Sequence, residues 1–454
     1  MSTKRDLVEA HAFSRRRLVT AFVSGAPGGR EVEPVRPGRA IVGGVALAVL
    51  LLAGAAIAGH FKPTTPDNWL EPGMFVSKEN GQGYVIVEKG QQLRPVVNAT
   101  SAKLIFGEDL DPQTVVQAAI DTEEIGDRIG IFGAPESLPA ESFLVGSGWT
   151  ACTNSDAGVQ VHIDRTPGVT EVADNAVVVR ADGQSYVVAQ GAAGARRLLL
   201  PTQPQVQADV LNALRLGSPE TVRTTSEWVN LFPEGPALDV ASFGVGGGGK
   251  ATYGGQEFWV GQLVSYQGST YLVGRQAPIA LDPFSEAVYR ALTRDRRAPT
   301  PVSSIGLRTD AGPAGWPTAL PQPVDDEPCA VLHATAGEAA VVGLGTDPVP
   351  EASAEGLSHE TDTSVAPSLG SYVRTAGHGV ADGGTPWLVD SQGKRYRLGG
   401  PQGVTAEALG YGGYEVPTIP ESWIEPIRRC GPELSHTAAL GRPDDVEVSE
   451  TCPG

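Results

Sequence analysis

One stretch of the chain, residues 40–59, constrains the fold most, because its twenty residues include no charged and no strongly polar side chain. At a rise of about 1.5 Å per residue, a helix of this length matches a hydrocarbon core of roughly 30 Å. Its many glycines and alanines would weaken a helix in water but are common in membrane helices. A buried helix of a globular protein is the alternative, but such helices usually carry a polar face. We therefore predict one transmembrane helix.

The charges on the two sides of this apolar run differ in sign. Residues 1–39 contain eight basic and four acidic side chains, a net charge of +4; because the whole chain carries −18, the remainder carries −22. Basic residues beside a span stay in the cytoplasm. We therefore predict a single-pass protein of the cell (inner) membrane, with its N-terminus cytoplasmic and its C-terminus extracytoplasmic.

Two further conclusions concern the segments that flank the span. A cleaved signal peptide is the alternative to an anchor, and residues 56–58 resemble a cleavage site. The 39-residue head is longer than an ordinary signal-peptide n-region, which favours an uncleaved anchor. The acidic ectodomain argues against nucleic acid as a partner, since nucleic-acid binding needs a basic surface.

All four cysteines, Cys152, Cys329, Cys430 and Cys452, follow the span. Disulfides persist on the oxidising side of a membrane. An even number of cysteines there predicts two bridges, and spacing alone leaves three pairings open.

Residues 5–24 predict an amphipathic helix that ends at the glycine-rich run 25–29. Its apolar side chains recur at helical spacing: Leu7, Val8, Ala12, Leu18, Val19, Phe22 and Val23. A basic amphipathic helix beside a membrane lies on anionic lipid or docks into a groove on a partner protein. The sequence leaves both roles open.

A short pattern, G-x-x-Y-x-[ILV], recurs four times after the span. The four copies are Gly81–Ile86, Gly183–Val188, Gly268–Val273 and Gly393–Leu398. Each glycine follows Asn, Asp or Gln, and an apolar strand-like run precedes the copies, as in β-hairpins. The copies start 102, 85 and 125 residues apart, whereas a solenoid has a fixed period. We predict four β-hairpin units interleaved with other material.

Other features support this organisation. The second and third copies continue into helical patterns, at 206–216 and 283–292. The segment Trp228–Leu238 is echoed by Trp423–Leu434, which supports an internal duplication. Two blocks between the units each contain a cysteine and short strand-like runs, and such blocks most simply pair into one central domain.

Two motifs resemble catalytic signatures without completing them. Gly244–Lys250 fits the first seven positions of a phosphate-binding P-loop, but Ala251 stands where Ser or Thr would bind magnesium. The run therefore favours a flexible linker. Ser391–Lys394 is an S-x-x-K motif, but it falls in the fourth hairpin turn and lacks its companion motifs. The histidines show no metal-ligand spacing, so the sequence predicts no metal, no cofactor and no catalytic residue.

The chain resembles EccB, a membrane component of the actinobacterial type VII (ESX) secretion system. The resemblance covers nearly the whole chain in the same order. It rests on the span and on these segments: Ala10–Leu18, Thr166–Val169, Tyr186–Val188, Asn230–Pro236 and Leu388–Leu398.

The resemblance implies an elongated ectodomain in which four repeat domains surround a central β-rich core closed by a disulfide. Cys152 and Cys329 occupy the matching places, and we predict that Cys430 pairs with Cys452 to hold the acidic tail. The resemblance also implies an oligomer within a complex that contains EccC-, EccD- and EccE-like membrane components. On the N-terminal helix, the expected partner-binding residues are Leu7, Leu18, Val19 and Phe22.

The expected fold class is α+β: a single-pass membrane protein with an elongated multi-domain ectodomain of four β-hairpin/helix repeats around a central β-rich core. The expected segments are the cytoplasmic head 1–39, the transmembrane helix 40–59, repeat 1 at 60–130, a first core block at 131–173, repeat 2 at 174–217, a connection and Gly-rich linker at 218–255, repeat 3 at 256–297, a second core block at 298–375, repeat 4 at 376–435 and the acidic tail 436–454.

The resemblance implies a structural component of the type VII secretion membrane complex, which bridges the membrane and the extracytoplasmic space. Two other functions stay open. Some members of the family have been called ATPases, and an extracytoplasmic ATPase would need a nucleotide pocket that the sequence does not supply. A cell-wall binding module would favour clustered aromatic residues, yet aromatic residues make up 6% of the chain.

Overall fold

The computed structural model describes residues 4–24, 44, 47–49, 51, 69–135, 137–153, 158–217, 221–306, 308–324, 327–347, 361–429 and 433–443. The chain divides into two compact units, Met1–Thr64 and Thr65–Gly454, which are described separately.

The first unit contains the helix α1, Lys4–Ser24, so the helix predicted at 5–24 is confirmed. Most of the predicted span, 40–59, lies outside the described residues. Among the residues that are described, no helix combines the length and the apolar character needed to cross a membrane.

The second unit is a mixed α+β structure built from several sheets, as predicted. Its helices are α2 Ala99–Phe106, α3 Gln117–Ile120, α4 Pro204–Ala213, α5 Ser226–Asn230, α6 Pro283–Thr293, α7 Val404–Ala408, α8 Glu421–Ile424 and α9 His436–Leu440. Its strands are β1 Gly73–Ser77, β2 Gly83–Ile86, β3 Arg94–Pro95, β4 Gln113–Val115, β5 Trp149–Cys152, β6 Gln160–Ile163, β7 Thr170–Glu171, β8 Asn175–Ala181, β9 Gln184–Gly191, β10 Gly194–Leu199, β11 Val222–Arg223, β12 Lys250–Tyr253, β13 Gln256–Trp259, β14 Leu263–Tyr266, β15 Ser269–Leu272, β16 Ile279–Ala280, β17 Thr300–Pro301, β18 Asp310–Ala311, β19 Gln322–Pro323, β20 Glu327–His333, β21 Val341–Asp347, β22 Asp362–Val365, β23 Ser371–Ala376, β24 Thr385–Val389, β25 Lys394–Arg397, β26 Thr418–Pro420 and β27 Arg428–Arg429.

This unit contains a six-stranded sheet with the strand order β22-β6-β5-β20-β21-β7. We call it the central sheet. Strands β5, β6 and β7 come from the block 131–173, and β20, β21 and β22 come from the block 298–375. The two cysteine-containing blocks therefore form one sheet, although two of the repeat hairpins separate them in sequence. Its buried residues, such as Trp149 and Leu332, belong to the largest apolar cluster.

Four further sheets share one topology, and we call them modules 1 to 4. Each begins with three antiparallel strands: β1-β2-β3, β8-β9-β10, β14-β15-β16 and β23-β24-β25. A helix follows, and a short strand then returns parallel to the first strand, as β4, β11, β17 and β26. In modules 3 and 4 a last short strand, β18 or β27, pairs parallel with the third strand.

The recurring glycine closes the hairpin in each module. In modules 2 and 3 the turn has two residues, Asp182-Gly183 and Gln267-Gly268, all with positive φ. This geometry matches the twist of the flanking strands, and glycine adopts it without steric cost. In modules 1 and 4 the turn is longer and the glycine is its penultimate or last residue. The glycine of the G-x-x-Y-x-[ILV] pattern therefore recurs because the turn needs a residue with positive φ.

The modules pack in two pairs. In modules 2 and 3, α4 packs against α6, and buried residues such as Val210 and Phe284 share one apolar cluster. In modules 1 and 4, α2 packs against α7 and α9. There Leu104 shares a second cluster with Tyr396 and Leu409. Burial of apolar side chains between modules therefore holds each pair together.

Candidate functional site

The disulfide between Cys152 and Cys329 lies in the middle of the central sheet. The two residues stand directly opposite each other on β5 and β20. Their Cα atoms are 4.0 Å apart and their sulfur atoms are bonded at 2.02 Å, across a sequence separation of 177. The structure thus brings these two cysteines together, and Cys430 and Cys452 lie outside the described residues. The bond ties the two sequence blocks of the sheet to each other.

Two buried tryptophans make the next contacts, one between module 2 and this sheet and one between modules 4 and 2. Trp228, in α5, donates from its indole Nε1 to the carbonyl oxygen of Ala151, 2.8 Å away. Trp423, in α8, donates in the same way to the carbonyl oxygen of Leu231, at 3.2 Å. Both indoles are fully buried. The two segments that echo each other in sequence are therefore contact points between modules.

A histidine lies at the same contact between modules 2 and 4. The Nε2 of His378 is 3.2 Å from the carbonyl oxygen of Asn230. Burial lowers the pKa of His378, and the nearby Arg197 and Arg196 lower it further, although the hydrogen bond opposes this. A carbonyl oxygen can only accept a hydrogen bond, so the imidazole Nε2 is the donor in this contact.

The helix α1 presents the apolar side chains expected to bind a partner. Leu7, Leu18 and Val19 are exposed, and Phe22 is 94% exposed. Nothing else in the first unit's described residues covers this surface. The geometry suits either role left open by the sequence, since a lipid surface and a partner groove both bury such a stripe.

The glycine-rich run 244–249 leads into a strand. Lys250 is the first residue of β12, which pairs antiparallel with β13. Its Nζ lies 2.9 Å from a carboxylate oxygen of Glu257 and 5.1 Å from the centre of the Trp259 ring. A P-loop instead places its lysine at the start of a helix, whose N-terminus binds the phosphates. The side chain of Lys250 therefore makes its contacts with β13, the strand paired to its own.

The S-x-x-K sequence covers the turn between β24 and β25 and ends at Lys394, the first residue of β25. The buried carboxylate of Asp390 accepts hydrogen bonds from the amides of Gln392 and Lys394, each at 2.9 Å, and from the hydroxyl of Tyr396 at 3.1 Å. Burial, followed by the charge of Asp390, raises the pKa of Tyr396. The turn is thus stabilised by an acidic residue that the motif does not contain.

A cavity of about 610 Å³ opens between modules 1 and 4. Three carboxylates line it, those of Glu108, Glu141 and Glu407. All three side chains are exposed. Across the described ranges of the chain, no group of three His, Cys, Asp or Glu residues has the geometry to hold a metal ion.

The sequence interpretation missed a cationic pair of strands in module 4. Strands β25 and β27 run parallel, with Lys394 opposite Arg428 and Arg395 opposite Arg429. The guanidinium of Arg395 lies 5.0 Å from the centre of the Trp387 ring. A two-residue strand has no periodicity to read, and 34 residues separate the paired positions. The available signal was the concentration of basic residues at 394–397 and 428–429 in a chain whose net charge is −18.

A family model described as "Type VII secretion system ESX-1, transport TM domain B" matches residues 1–448. The ESX-1 secretion system ATPase EccB1 of Mycobacterium tuberculosis (strain ATCC 25618 / H37Rv) is 37% identical over 114 residues, which cover 25% of this chain and 23% of that relative. The chain therefore aligns with about a quarter of the length of the ESX-1 relatives.

A second relative aligns over most of its length. The ESX-3 secretion system ATPase EccB3 of the same strain is 28% identical over 463 residues, covering 90% of this chain and 84% of the relative. The ESX-5 secretion system ATPase EccB5 is 32% identical over 284 residues, covering 57% of this chain and 52% of the relative. All three relatives are named as ATPases.

Two solved structures have the same fold. A chain from the intact ESX-5 inner membrane complex gives a TM-score of 0.64 at 23% identity, covering all of this chain (100%) and 98% of that one. A chain from the EccB3 dimer of the ESX-3 core complex gives a TM-score of 0.60 at 22% identity, covering 81% and 100%. At these identities the likeness establishes the fold.

Proposed function

The chain belongs to the EccB family of the type VII (ESX) secretion system, and on that premise we propose how it serves as a structural component of the secretion membrane complex. The ectodomain acts as a scaffold that holds binding surfaces in fixed positions outside the membrane. The head acts as an attachment point in the cytoplasm. In this role the protein fixes the relative positions of the components that bind to it.

The observation that carries this proposal is the way the central sheet is joined. Its two sequence blocks are linked by the Cys152–Cys329 bond, and Trp228 bonds to the backbone of the same strand β5. Modules 2 and 4 meet through Trp423 and Leu231. A structure whose parts are held by buried, sequence-distant contacts suits a scaffold, because local motion at one module requires breaking contacts with another.

The finer features of the proposal rest on sequence and topology. Four sheets with one strand order support four repeats, in which a hairpin and a helix are followed by a returning strand. The apolar run 40–59 supports one span, and the +4 head and −22 remainder support a cytoplasmic N-terminus and an extracytoplasmic C-terminus. The exposed stripe of Leu7, Leu18, Val19 and Phe22 supports docking of α1 on a partner.

The partners that we propose are EccC-, EccD- and EccE-like membrane components, in a complex that contains more than one copy of this chain. Two solved relatives support the assembly: one comes from an ESX-5 inner membrane complex and the other from an EccB3 dimer. Extraction of tagged full-length protein in a mild detergent tests it. We expect these components to co-purify at fixed ratios in one high-mass species. Recovery of this chain alone, with the other components in a separate species, would contradict the proposal.

An extracytoplasmic ATPase is the second candidate, and the names of the relatives favour it. The glycine run is the segment with the closest likeness to a nucleotide site, and it leads into β12, where Lys250 pairs with Glu257. Hydrolysis of ATP by purified protein that is abolished by Lys250→Ala would support this candidate. Hydrolysis that is unchanged by that substitution would point to a contaminating enzyme or another site.

A further inference from the structure

The hairpin turn of module 1 contains the one asparagine of the chain that precedes a glycine, Asn80-Gly81. An asparagine in this position can lose its side-chain amide spontaneously, because glycine has no side chain to shield its backbone nitrogen. The turns of modules 2, 3 and 4 place Asp182, Gln267 and Gln392 before the glycine. The aspartate has no amide to lose, and a glutamine has to close a larger ring that forms more slowly. Module 1 therefore has a reactivity that the other three hairpins lack.

The reaction at Asn80 has two steps. First the backbone nitrogen of Gly81 attacks Cγ of Asn80. The new N–C bond replaces the bond from Cγ to Nδ2, and ammonia leaves with the proton of the Gly81 amide. Water then opens the cyclic succinimide at either carbonyl and gives aspartate or isoaspartate at this position. Ring closure therefore requires that the side-chain amide turn toward the Gly81 nitrogen and that this nitrogen release its proton.

Solvent reaches the reacting atoms in the folded protein. Asn80 and Gly81 are both exposed. A Cβ atom added at Gly81 would meet no atom within 4 Å beyond its neighbours in the chain. Water and base therefore have access to the turn, so steric shielding does not slow the reaction. Protection has to come from the hydrogen bonds of the turn.

Three hydrogen bonds hold the two reacting groups. The backbone amide of Gly81 donates to the carbonyl oxygen of Ser77 at 2.9 Å. The Oδ1 of Asn80 accepts from the backbone amide of Gln82 at 2.8 Å. Its Nδ2 donates to the Oε1 of Gln117 at 3.0 Å. The proton of the attacking nitrogen is thus engaged and the asparagine side chain is fixed through both of its polar atoms, so ring closure requires that these bonds open.

The residue that accepts from Asn80 is itself held in place. Gln117 is the first residue of α3. Its backbone amide donates to a carboxylate oxygen of Glu79 at 2.7 Å, and its Nε2 donates to a carboxylate oxygen of Asp121 at 2.7 Å. The side-chain amide of Gln117 therefore presents its oxygen to Asn80. This bond ties the hairpin turn to α3 across 37 positions of sequence.

We propose that Asn80 is a deamidation site that the fold of module 1 keeps closed and that rupture of the Asn80–Gln117 bond opens. Conversion to aspartate replaces the Nδ2 donor with a carboxylate oxygen, which cannot donate to the Oε1 of Gln117. The new charge also lies next to Glu79, whose carboxylate contacts the same glutamine. Isoaspartate in addition lengthens the backbone of the turn by one carbon atom. Deamidation thus detaches the turn from α3.

The rate of deamidation in the full-length protein, folded in detergent or unfolded in urea, tests the proposal. Both samples are held at the same mildly alkaline pH and digested at intervals. Mass spectrometry reads the fraction of the peptide containing residue 80 whose amide has become an acid. We expect the folded protein to react at least about tenfold more slowly, because several hydrogen bonds have to open first. Equal rates would overturn the proposal.

Matched glutamine variants test the bond to α3. Gln117→Ala removes the acceptor of Asn80 and should raise the rate in the folded protein several-fold. Gln91→Ala, at a glutamine of the same module that donates to Glu88 at 2.8 Å, should leave the rate unchanged. Slow hydrogen exchange at the buried Val85 verifies that the module stays folded. A folded Gln117→Ala protein that reacts at the wild-type rate would overturn the proposal, as would an equal rise in Gln91→Ala.

A variant that imitates the product tests the consequence without the chemistry. In Asn80→Asp, hydrogen exchange at the backbone amide of Gln117 should be several-fold faster than in the wild type, because the turn no longer bonds to the side chain of Gln117. Gln91→Glu makes the same change from amide to acid away from this turn and should leave that exchange unchanged. Wild-type exchange at Gln117 in Asn80→Asp would show that the turn stays attached to α3, and would overturn the proposal.

Discussion

The indole Nε1 of Trp423 donates a hydrogen bond to the carbonyl oxygen of Leu231, 3.2 Å away, although 192 positions separate the two residues. Trp423 belongs to module 4 and Leu231 follows α5 of module 2. Because both residues are fully buried, the bond is shielded from water. The contact between the modules therefore depends on a side chain that combines a large apolar surface with a hydrogen-bond donor.

Replacement of Trp423 by alanine should destabilise the second unit by about 3–5 kcal/mol, the range for removal of a large buried side chain. The measurement is the free energy of unfolding in urea, followed by circular dichroism. Trp259→Ala is the matched control, because that indole is 63% exposed. It should change the free energy by no more than about 1 kcal/mol, since its charged contact, with Lys250, is exposed. Equal effects of both substitutions would contradict a special role for the buried indole.

The proposed orientation is tested by single cysteines on either side of the apolar run. Arg30→Cys should be protected from a membrane-impermeant thiol reagent in intact cells, and Pro350→Cys should react. The reason is the +4 charge before the run and the −22 charge after it. Permeabilised cells, in which both positions should react, are the control. Reaction at residue 30 with protection at residue 350 would reverse the topology.

Docking of α1 on a partner protein is tested by placing a charge on its exposed stripe. Leu18→Glu should release the protein from the assembled complex, because a buried carboxylate in an apolar groove is costly. The measurement is the mass of the extracted complex on a native gel. Arg17→Gln alters the net charge by the same one unit on another face of the helix and should leave assembly unchanged. A complex that tolerates both substitutions would favour binding of α1 to lipid.

Lys250→Ala should leave secretion intact. The lysine pairs with Glu257 and lies over Trp259, and its side chain is half exposed, so its loss should cost no more than about 1 kcal/mol. The measurement is the amount of substrate in the culture medium at equal levels of the complex. Loss of secretion with normal expression and assembly would revive a nucleotide site at the glycine run.

Much of the fold followed from local sequence. The helix at 5–24 was predicted from periodicity and observed as Lys4–Ser24. The recurring glycine marked all four hairpins, because Gly183 and Gly268 occupy backbone conformations that other residues avoid. The helical pattern at 283–292 was observed as Pro283–Thr293, with Asp282 as its N-cap. Local rules suffice where the backbone or one apolar face determines the residue type.

The rest depended on contacts between distant segments. The returning strands have two or three residues, and strands such as β17 and β27 are too short to show alternation. The basic residues of β25 and β27 face each other only because β27 pairs with β25. Nor did any pattern indicate that Trp423 would reach Leu231 in another module. These features are set by packing between modules, which sequence spacing does not encode.

The last prediction concerns the pairing of all four cysteines, Cys152 with Cys329 and Cys430 with Cys452. The first pair joins neighbouring strands of the central sheet and closes a loop of 176 intervening residues. On the chain-entropy account, such a loop stabilises the fold by about 5 kcal/mol as an upper value. The second pair encloses 21 residues and should contribute about 3 kcal/mol. Loss of the first pair, in Cys152→Ser with Cys329→Ser, should therefore lower the free energy of unfolding more than loss of the second.

Mass spectrometry of a non-reduced digest reads the pairing directly, and a reduced digest is its control. A peptide that joins Cys152 to Cys430 or Cys452 would contradict both pairs at once. It would also require the tail to reach the middle of the central sheet, where Cys329 is fully buried opposite Cys152. Because a disulfide forms only between cysteines whose Cα atoms lie within about 7 Å, the 4.0 Å between Cys152 and Cys329 favours the first pair. Cys430 and Cys452 are then left to bond with each other.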